Sequence, residues 1–219
     1  MHDGLAVSLV HVGKSYDGGG KPLNVFEDIT LGIKPREFVA VLGPTGSGKT
    51  TLLNLMTGMD KPVKGTIYVQ GVNITKLQES ELGKFRLRNL GVVHQCNTLI
   101  GDMSVSENVE LPLVLLGVDK TTRRSVVAKL LKALGLTAVA DRNSSVLSVG
   151  ERQLVGIARA FASNTDIVIM DEPTECLDPT TTDIVMSVAR SSNLFEGKTV
   201  IVTTHNRSVA TMASRIVHL

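Results

Sequence analysis

The octapeptide Gly43-Pro44-Thr45-Gly46-Ser47-Gly48-Lys49-Thr50 constrains this 219-residue chain more than any other stretch. It follows Phe38-Val39-Ala40-Val41-Leu42, a nearly unbroken apolar run of the kind buried on both faces of a parallel sheet. It precedes a segment in which Leu52, Leu53 and Met56 share one helical face and Gly58 supplies a stop. A strand, a glycine-rich turn ending in Lys-Thr and a helix make a phosphate-binding loop. Its glycines let the backbone wrap until successive N–H groups point at phosphate oxygens, and the helix that begins there adds its positive dipole end. In such a loop the lysine, here Lys49, reaches the β- and γ-phosphates, and the hydroxyl of Thr50 ligates Mg²⁺. The pattern implies nucleoside triphosphate binding.

Strand and helix signals alternate at both ends of the chain. Residues 5–42 alternate apolar and polar in short runs broken at Asp17-Gly18-Gly19-Gly20, which predicts an N-terminal β-rich stretch. Thr66 to Gln70 and Gly91 to His94 read as strands, with a polar, basic helix over 78–88 between them. Ser104-Val105-Ser106-Glu107 has capping-box spacing and predicts a helix start, and a second helix over 120–134 carries Val127, Leu130, Leu131 and Leu134. Strands return at Ile167 to Met170 and Thr199 to Val202, with Asp178-Pro179 opening a helix between them. The expectation is an α/β core carrying a helical insertion.

Asp171 closes the apolar run Ile167 to Met170 and is followed by Glu172. A carboxylate at that strand's tip lies beside the phosphate loop, where it can hold Mg²⁺, usually through water. Glu172, one residue on, can act as general base on the attacking water.

Leu147-Ser148-Val149-Gly150-Glu151, between the phosphate loop and Asp171, completes a set of motifs. With it the chain resembles the ATP-binding-cassette (ABC) transporter ATPases over nearly its whole length. It is most similar to the lipoprotein-release and macrolide-export type, on Gly58-Met59-Asp60-Lys61-Pro62 and Glu107-Asn108-Val109-Glu110-Leu111-Pro112-Leu113. The resemblance implies a P-loop NTPase (RecA-like) core with an N-terminal antiparallel β subdomain and an inserted helical subdomain. It implies one domain over 1–219, the core taking about 1–94 and 154–219 and the helical subdomain about 95–153. ATP would be held by Gly43, Pro44, Thr45, Gly46, Ser47, Gly48, Lys49, Thr50 and Thr51, with Tyr16 stacking on adenine. Mg²⁺ would be held by Thr50, Gln95 and Asp171. Hydrolysis would fall to Glu172, His205, Lys49 and Gln95, and Leu177-Asp178 would cross the dimer interface. Ser148, Gly150 and Glu151 would touch ATP bound to a second copy, making a head-to-tail homodimer on ATP binding.

The implied partners are transmembrane permease subunits on other chains, which would set the protein in the cytoplasm, peripheral to the inner face of the cell membrane. The alternatives are a non-transport ABC ATPase of DNA repair or translation, or a nucleotide-binding regulator with weak hydrolysis. Long coiled-coil or zinc-binding insertions and a second cassette do not occur, and Glu172 and His205 argue against the regulator. A GTPase is disfavoured because no Asn-Lys-x-Asp motif occurs.

Four positions depart from the family pattern: Val149 for a glycine, Leu154 for an arginine, and Glu175-Cys176 for a small pair. A β-branched residue at 149 costs at least about 1–2 kcal/mol if the backbone there needs positive φ, and only tenths at an ordinary helix start. An altered signature beside intact Lys49, Asp171, Glu172 and His205 leads to the expectation of an active ATPase with a weakened dimer. Cys96 and Cys176 read as reduced packing residues rather than a disulfide scaffold. A net charge of +2 gives no electrostatic case for nucleic acid. No apolar run approaches the roughly 18 residues of a membrane span, so no direct membrane insertion is expected.

Overall fold

The computed structural model describes residues 4–19, 21–95 and 99–219. Five strands form a parallel sheet: β3 (Phe38–Leu42), β6 (Leu90–Val93), β7 (Ile167–Asp171), β8 (Thr199–Thr204) and β9 (Arg215–His218), in the order β6-β7-β8-β3-β9. The apolar runs of the sequence are explained by two covered faces. Phe38, Ala40, Val168, Met170, Val200 and Val202 enter one core. Val39, Val41, Ile167, Ile169 and Ile201, the alternate residues of the same strands, enter a second core on the opposite face.

That second core is closed by α1 (Lys49–Thr57) and by an antiparallel sheet of β1 (Val7–Asp17), β2 (Pro22–Ile33), β4 (Lys64–Val69) and β5 (Val72–Asn73), in the order β2-β1-β4-β5. Leu52, Leu53 and Met56 of α1 pack there as their spacing predicted, and Gly58 ends the helix in the left-handed conformation. The burial phase of β1 slips between Leu9 and Val12, where the pairing register with β2 shifts and His11 takes a φ of 51°. A β-bulge re-aims the strand there, which simple alternation does not foresee. A basic helix, α2 (Glu79–Asn89), leads into β6.

The first core continues into the middle third of the chain. Helix α3 (Val105–Leu115) starts on the predicted capping box: Ser104 Oγ accepts from the Glu107 N–H, and the Glu107 carboxylate accepts from the Ser104 N–H. Helix α4 (Lys120–Ala133) is capped by Asp119, which accepts from the N–H groups of Thr121 and Thr122. Asn108 is fully buried and bonds the backbone of Ile100, Met103 and Ser104, pinning the loop that enters α3. Helix α5 (Val149–Ala162) packs on α3 and α4 and delivers Val155, Ile157 and Ala158 to the sheet side of the core. It runs unbroken from Val149 to Ala162, through residues 153 and 154. Helix α6 (Pro179–Glu196) begins on Asp178 and Pro179 as read, and the short α7 (Arg207–Ala210) precedes β9.

Candidate nucleotide site

Parallel pairing brings the C-terminal ends of β3, β7 and β8 to one edge of the sheet. Leu42 is level with Thr204, and Asp171 with Thr203. The phosphate loop leaves β3 at that edge and turns into α1, with Gly46 at φ 85° and Gly48 at φ 94°. Both lie in the left-handed region, so their lack of a Cβ is required by the backbone path itself.

Asp171 is buried at the tip of β7. Its carboxylate accepts from the Thr50 hydroxyl at 2.7 Å on one oxygen and from the Thr203 hydroxyl on the other. The predicted pair Thr50 and Asp171 is therefore in direct contact. Thr203 also holds the next residue, accepting from the Glu172 N–H at 3.1 Å through both its carbonyl and its hydroxyl. Glu172 sits at φ 42°, a left-handed conformation that costs a non-glycine residue on the order of 1 kcal/mol. The strain turns its carboxylate back over the phosphate loop.

There the two oxygens of Glu172 divide their partners. One lies 3.2 Å from Lys49 Nζ; the other lies 3.1 Å from His205 Nδ1 and accepts from the His205 N–H. An ionised carboxylate only accepts, so Nδ1 carries the proton in this pairing. Lys49 Nζ also donates to the carbonyls of Gly43 and Pro44 at 2.9 Å each. Its three donors are thus matched by three acceptors, and the loop closes on its own lysine.

Gln95, beyond β6, donates from Nε2 to Glu175 at 2.8 Å. Tyr16, near the end of β1, donates its hydroxyl to Asp60 at 2.7 Å, and Lys14 Nζ lies 4.5 Å from its ring centre. Lys14 is itself bonded to Asp60 and to the Lys61 carbonyl, so the ring is fixed in place. Burial, together with its bond to Asp60, holds the Tyr16 phenol above its ordinary pKa. Tyr16, Thr45, Thr50, Gln95, Glu172 and His205 border one cleft of about 310 Å³. Gly46, Gly48, Lys49 and Thr51 line it too, so most of the predicted site is brought together. Lys14, Asp60, Thr203 and Glu175 were not assigned a site role from sequence; Asp60 stands within a recognised motif and Thr203 next to one, but nothing in their spacing marks them.

Ser148, Gly150 and Glu151 do not border this cleft. They open α5 on a second capping box: Ser148 Oγ accepts from the Glu151 N–H, and the Glu151 carboxylate accepts from the Ser148 N–H at 2.8 Å. Those bonds hold the Glu151 carboxyl below the usual range, the backbone bond contributing most. Val149 is the first residue of the helix, has no positive φ and is 56% exposed. The helix-start alternative therefore holds, and Val149 carries no backbone strain. Gly150 has no positive φ either, and an added Cβ would meet only Leu177 at 3.5 Å and the Cys176 carbonyl at 3.7 Å. Among the described residues nothing requires glycine at 149 or 150. Gln153 Nε2 donates to the Pro173 carbonyl at 3.1 Å, tying α5 to the turn after Glu172. Leu154, standing for an arginine, is buried in the core. Cys176 is exposed, which corrects its reading as a packing residue, and Cys96 lies outside the described residues.

Residues 26–175 match the family model described as ABC transporter. The chain belongs to the ABC transporter family. An uncharacterized ABC transporter ATP-binding protein, MJ0796 of Methanocaldococcus jannaschii, is 37% identical over 217 residues, 97% of this chain and 92% of that protein. The macrolide export ATP-binding/permease proteins MacB of Shewanella sp. (strain ANA-3) and Brucella melitensis are 37% and 38% identical over 94% and 97% of this chain. The chain spans only about a third of their length, 31% and 33%. In space it is similar to the dimeric structure of a post-hydrolysis state of the MJ0796 cassette bound to ADP and Pi, with a TM-score of 0.93 at 37% identity over 97% of this chain and 94% of that one. The RecA-like core, antiparallel sheet and helical insertion are those of an ABC ATPase cassette.

Proposed function

We propose that this chain is the ATP-binding and hydrolysing subunit of an ABC transporter, closing head-to-tail on a second copy over two ATP molecules to drive permease subunits on other chains. The observation that carries the reading is the Glu172 carboxylate held between Lys49 and His205, over the phosphate loop and next to the Thr50–Asp171 pair.

ATP binding exchanges partners at Lys49. Its ammonium leaves the Gly43 and Pro44 carbonyls for the β- and γ-phosphate oxygens, and the loop N–H groups turn to the same oxygens. Tyr16 offers its ring to the adenine. The oxygen donors Thr50, Asp171 and Gln95 suit Mg²⁺, a hard cation. When bound, Mg²⁺ neutralises charge on the β- and γ-phosphates.

In hydrolysis the water oxygen forms a bond to the γ-phosphorus, and the bond from that phosphorus to the bridging oxygen breaks, leaving ADP. Glu172 takes the water proton, and His205 orients the carboxylate and reaches the γ-phosphate. Ser148, Gly150 and Glu151 face the γ-phosphate of the partner copy. Loss of that phosphate removes the ligand that joins the two surfaces, and the sandwich opens. No helix of the described residues is long and apolar enough to cross a membrane, and the permease is what places the cassette at the inner face of the cell membrane.

The adenine contact is tested by calorimetric titration. Tyr16→Ala lowers ATP affinity by about 1–3 kcal/mol, roughly 5- to 150-fold, whereas Tyr16→Phe keeps most of it. Equal affinity in wild type and Tyr16→Ala removes Tyr16 from the site. The trans role of the signature is tested by separating stability from assembly. Gly150→Ala leaves the melting temperature unchanged or raises it, by up to about 1 kcal/mol of helix propensity, yet blocks ATP-driven dimerisation. Val149→Gly destabilises by about a few tenths of a kcal/mol and does not strengthen the dimer, because no backbone strain is relieved.

A further inference from the structure

We infer that Glu175 is a specificity-determining and positioning residue, which turns the Gln95 amide toward the cation and makes the cleft select Mg²⁺-bound ATP over free ATP. The inference rests on the nucleotide-site reading above and concerns a residue where the family has a small side chain.

The geometry is local and simple. The Glu175 N–H donates to the Glu172 carbonyl at 3.3 Å, so the chain turns tightly after β7 and carries residue 175 back to the rim of the cleft. Glu175 there accepts from Gln95 Nε2 at 2.8 Å. An ionised carboxylate has no proton to donate, so only the NH₂ end of the amide can face it. The amide oxygen is the other branch of the same planar group and is directed away from Glu175. That oxygen is the end a hard cation takes. A serine or alanine at 175 leaves the two ends of the Gln95 amide free to interchange.

Charge gives the second half of the inference. Among the described residues Lys49 is the one lysine or arginine bordering the cleft, against the carboxylates of Glu172 and Glu175, with Asp171 beneath them. A free triphosphate brings further negative charge to this rim, and Mg²⁺ cancels much of it. One unit charge about 6 Å away in a partly solvated cleft changes affinity by roughly three- to tenfold. Glu175 therefore penalises free ATP and favours the Mg²⁺ complex.

The test is calorimetric binding of ATP in excess EDTA and in Mg²⁺ to wild type, Glu175→Gln and Glu175→Ser, with Glu175→Asp as the conservative variant. In Glu175→Gln and Glu175→Ser, ATP in EDTA binds about three- to tenfold more tightly and Mg²⁺-ATP binds no better than in wild type. The ratio of the two Kd values thus falls by about three- to tenfold, and Glu175→Asp keeps the wild-type ratio. In a Gln95→Ala background any loss of Mg²⁺-ATP affinity caused by Glu175→Ser disappears, because the amide it positions is gone. A merely structural role moves both affinities together, and an unchanged ratio in both neutral variants overturns the inference. A wild type that binds ATP in neither buffer overturns the nucleotide-site reading itself. Glu175 is exposed, and Glu175→Gln keeps its shape, so a folding failure of Glu175→Ser leaves the decisive variant intact.

Discussion

Glu172→Gln lowers steady-state ATP turnover by about 10²- to 10⁴-fold while leaving ATP binding within a few-fold of wild type. The amide keeps the shape of the side chain and can still face His205 Nδ1 and Lys49, but it cannot accept the water proton. The left-handed backbone at residue 172 is unchanged by the swap, since Gln and Glu carry the same Cβ and meet the same steric limit. Phosphate release measured at saturating ATP, with wild type beside the variant, checks this. Equal turnover in the two removes Glu172 as the base.

Lys49→Ala has an effect of similar size on binding rather than chemistry. Loss of a charge-assisted contact to the β- and γ-phosphates lowers ATP affinity by about 3 kcal/mol, roughly 150-fold. The same change also affects the empty protein. The Glu172 side chain is 8% exposed and loses the Lys49 ammonium, and the Gly43 and Pro44 carbonyls lose their donor. Removing one partner of a buried pair is costly because the other charge stays buried. The remaining bonds from His205 limit the destabilisation to about 1–3 kcal/mol. The double variant Lys49→Ala, Glu172→Gln recovers part of that stability and none of the ATP binding. Thermal melts of the two single variants and the double variant give the coupling, and strict additivity contradicts a direct Lys49–Glu172 interaction.

The sequence made legible what local chemistry controls. The octapeptide, the apolar strands around it and the helix starts at Ser104 and Asp178 each follow from a few adjacent residues and stand where they were read. Val149 shows the limit: its residue type allowed either a strained turn or a helix start, and only the path of the chain decides. The bulge at His11 and the left-handed backbone at Glu172 are set by long-range pairing, with the partner strand in one case and with Thr203 in the other. The same holds for Gln95 and Glu175, 80 positions apart and joined by one hydrogen bond. Glu175 was visible as a departure from a pattern, but its partner depends on tertiary folding.

The signature motif illustrates how a subunit can hold residues that it does not itself need. Ser148 and Glu151 are accounted for by a capping box, but Gly150 has room for a side chain and a backbone that any residue could adopt. On the proposed function, the reason for glycine there is the approach of a second, nucleotide-loaded copy.

The most direct measurement is the solution mass of Glu172→Gln by light scattering, with Mg²⁺-ATP and with Mg²⁺-ADP. The expected result is a doubling of the monomer mass with ATP and the monomer with ADP, because the γ-phosphate joins the two surfaces and the variant does not remove it. A protein that binds Mg²⁺-ATP and stays monomeric at every accessible concentration contradicts closure of two copies over ATP.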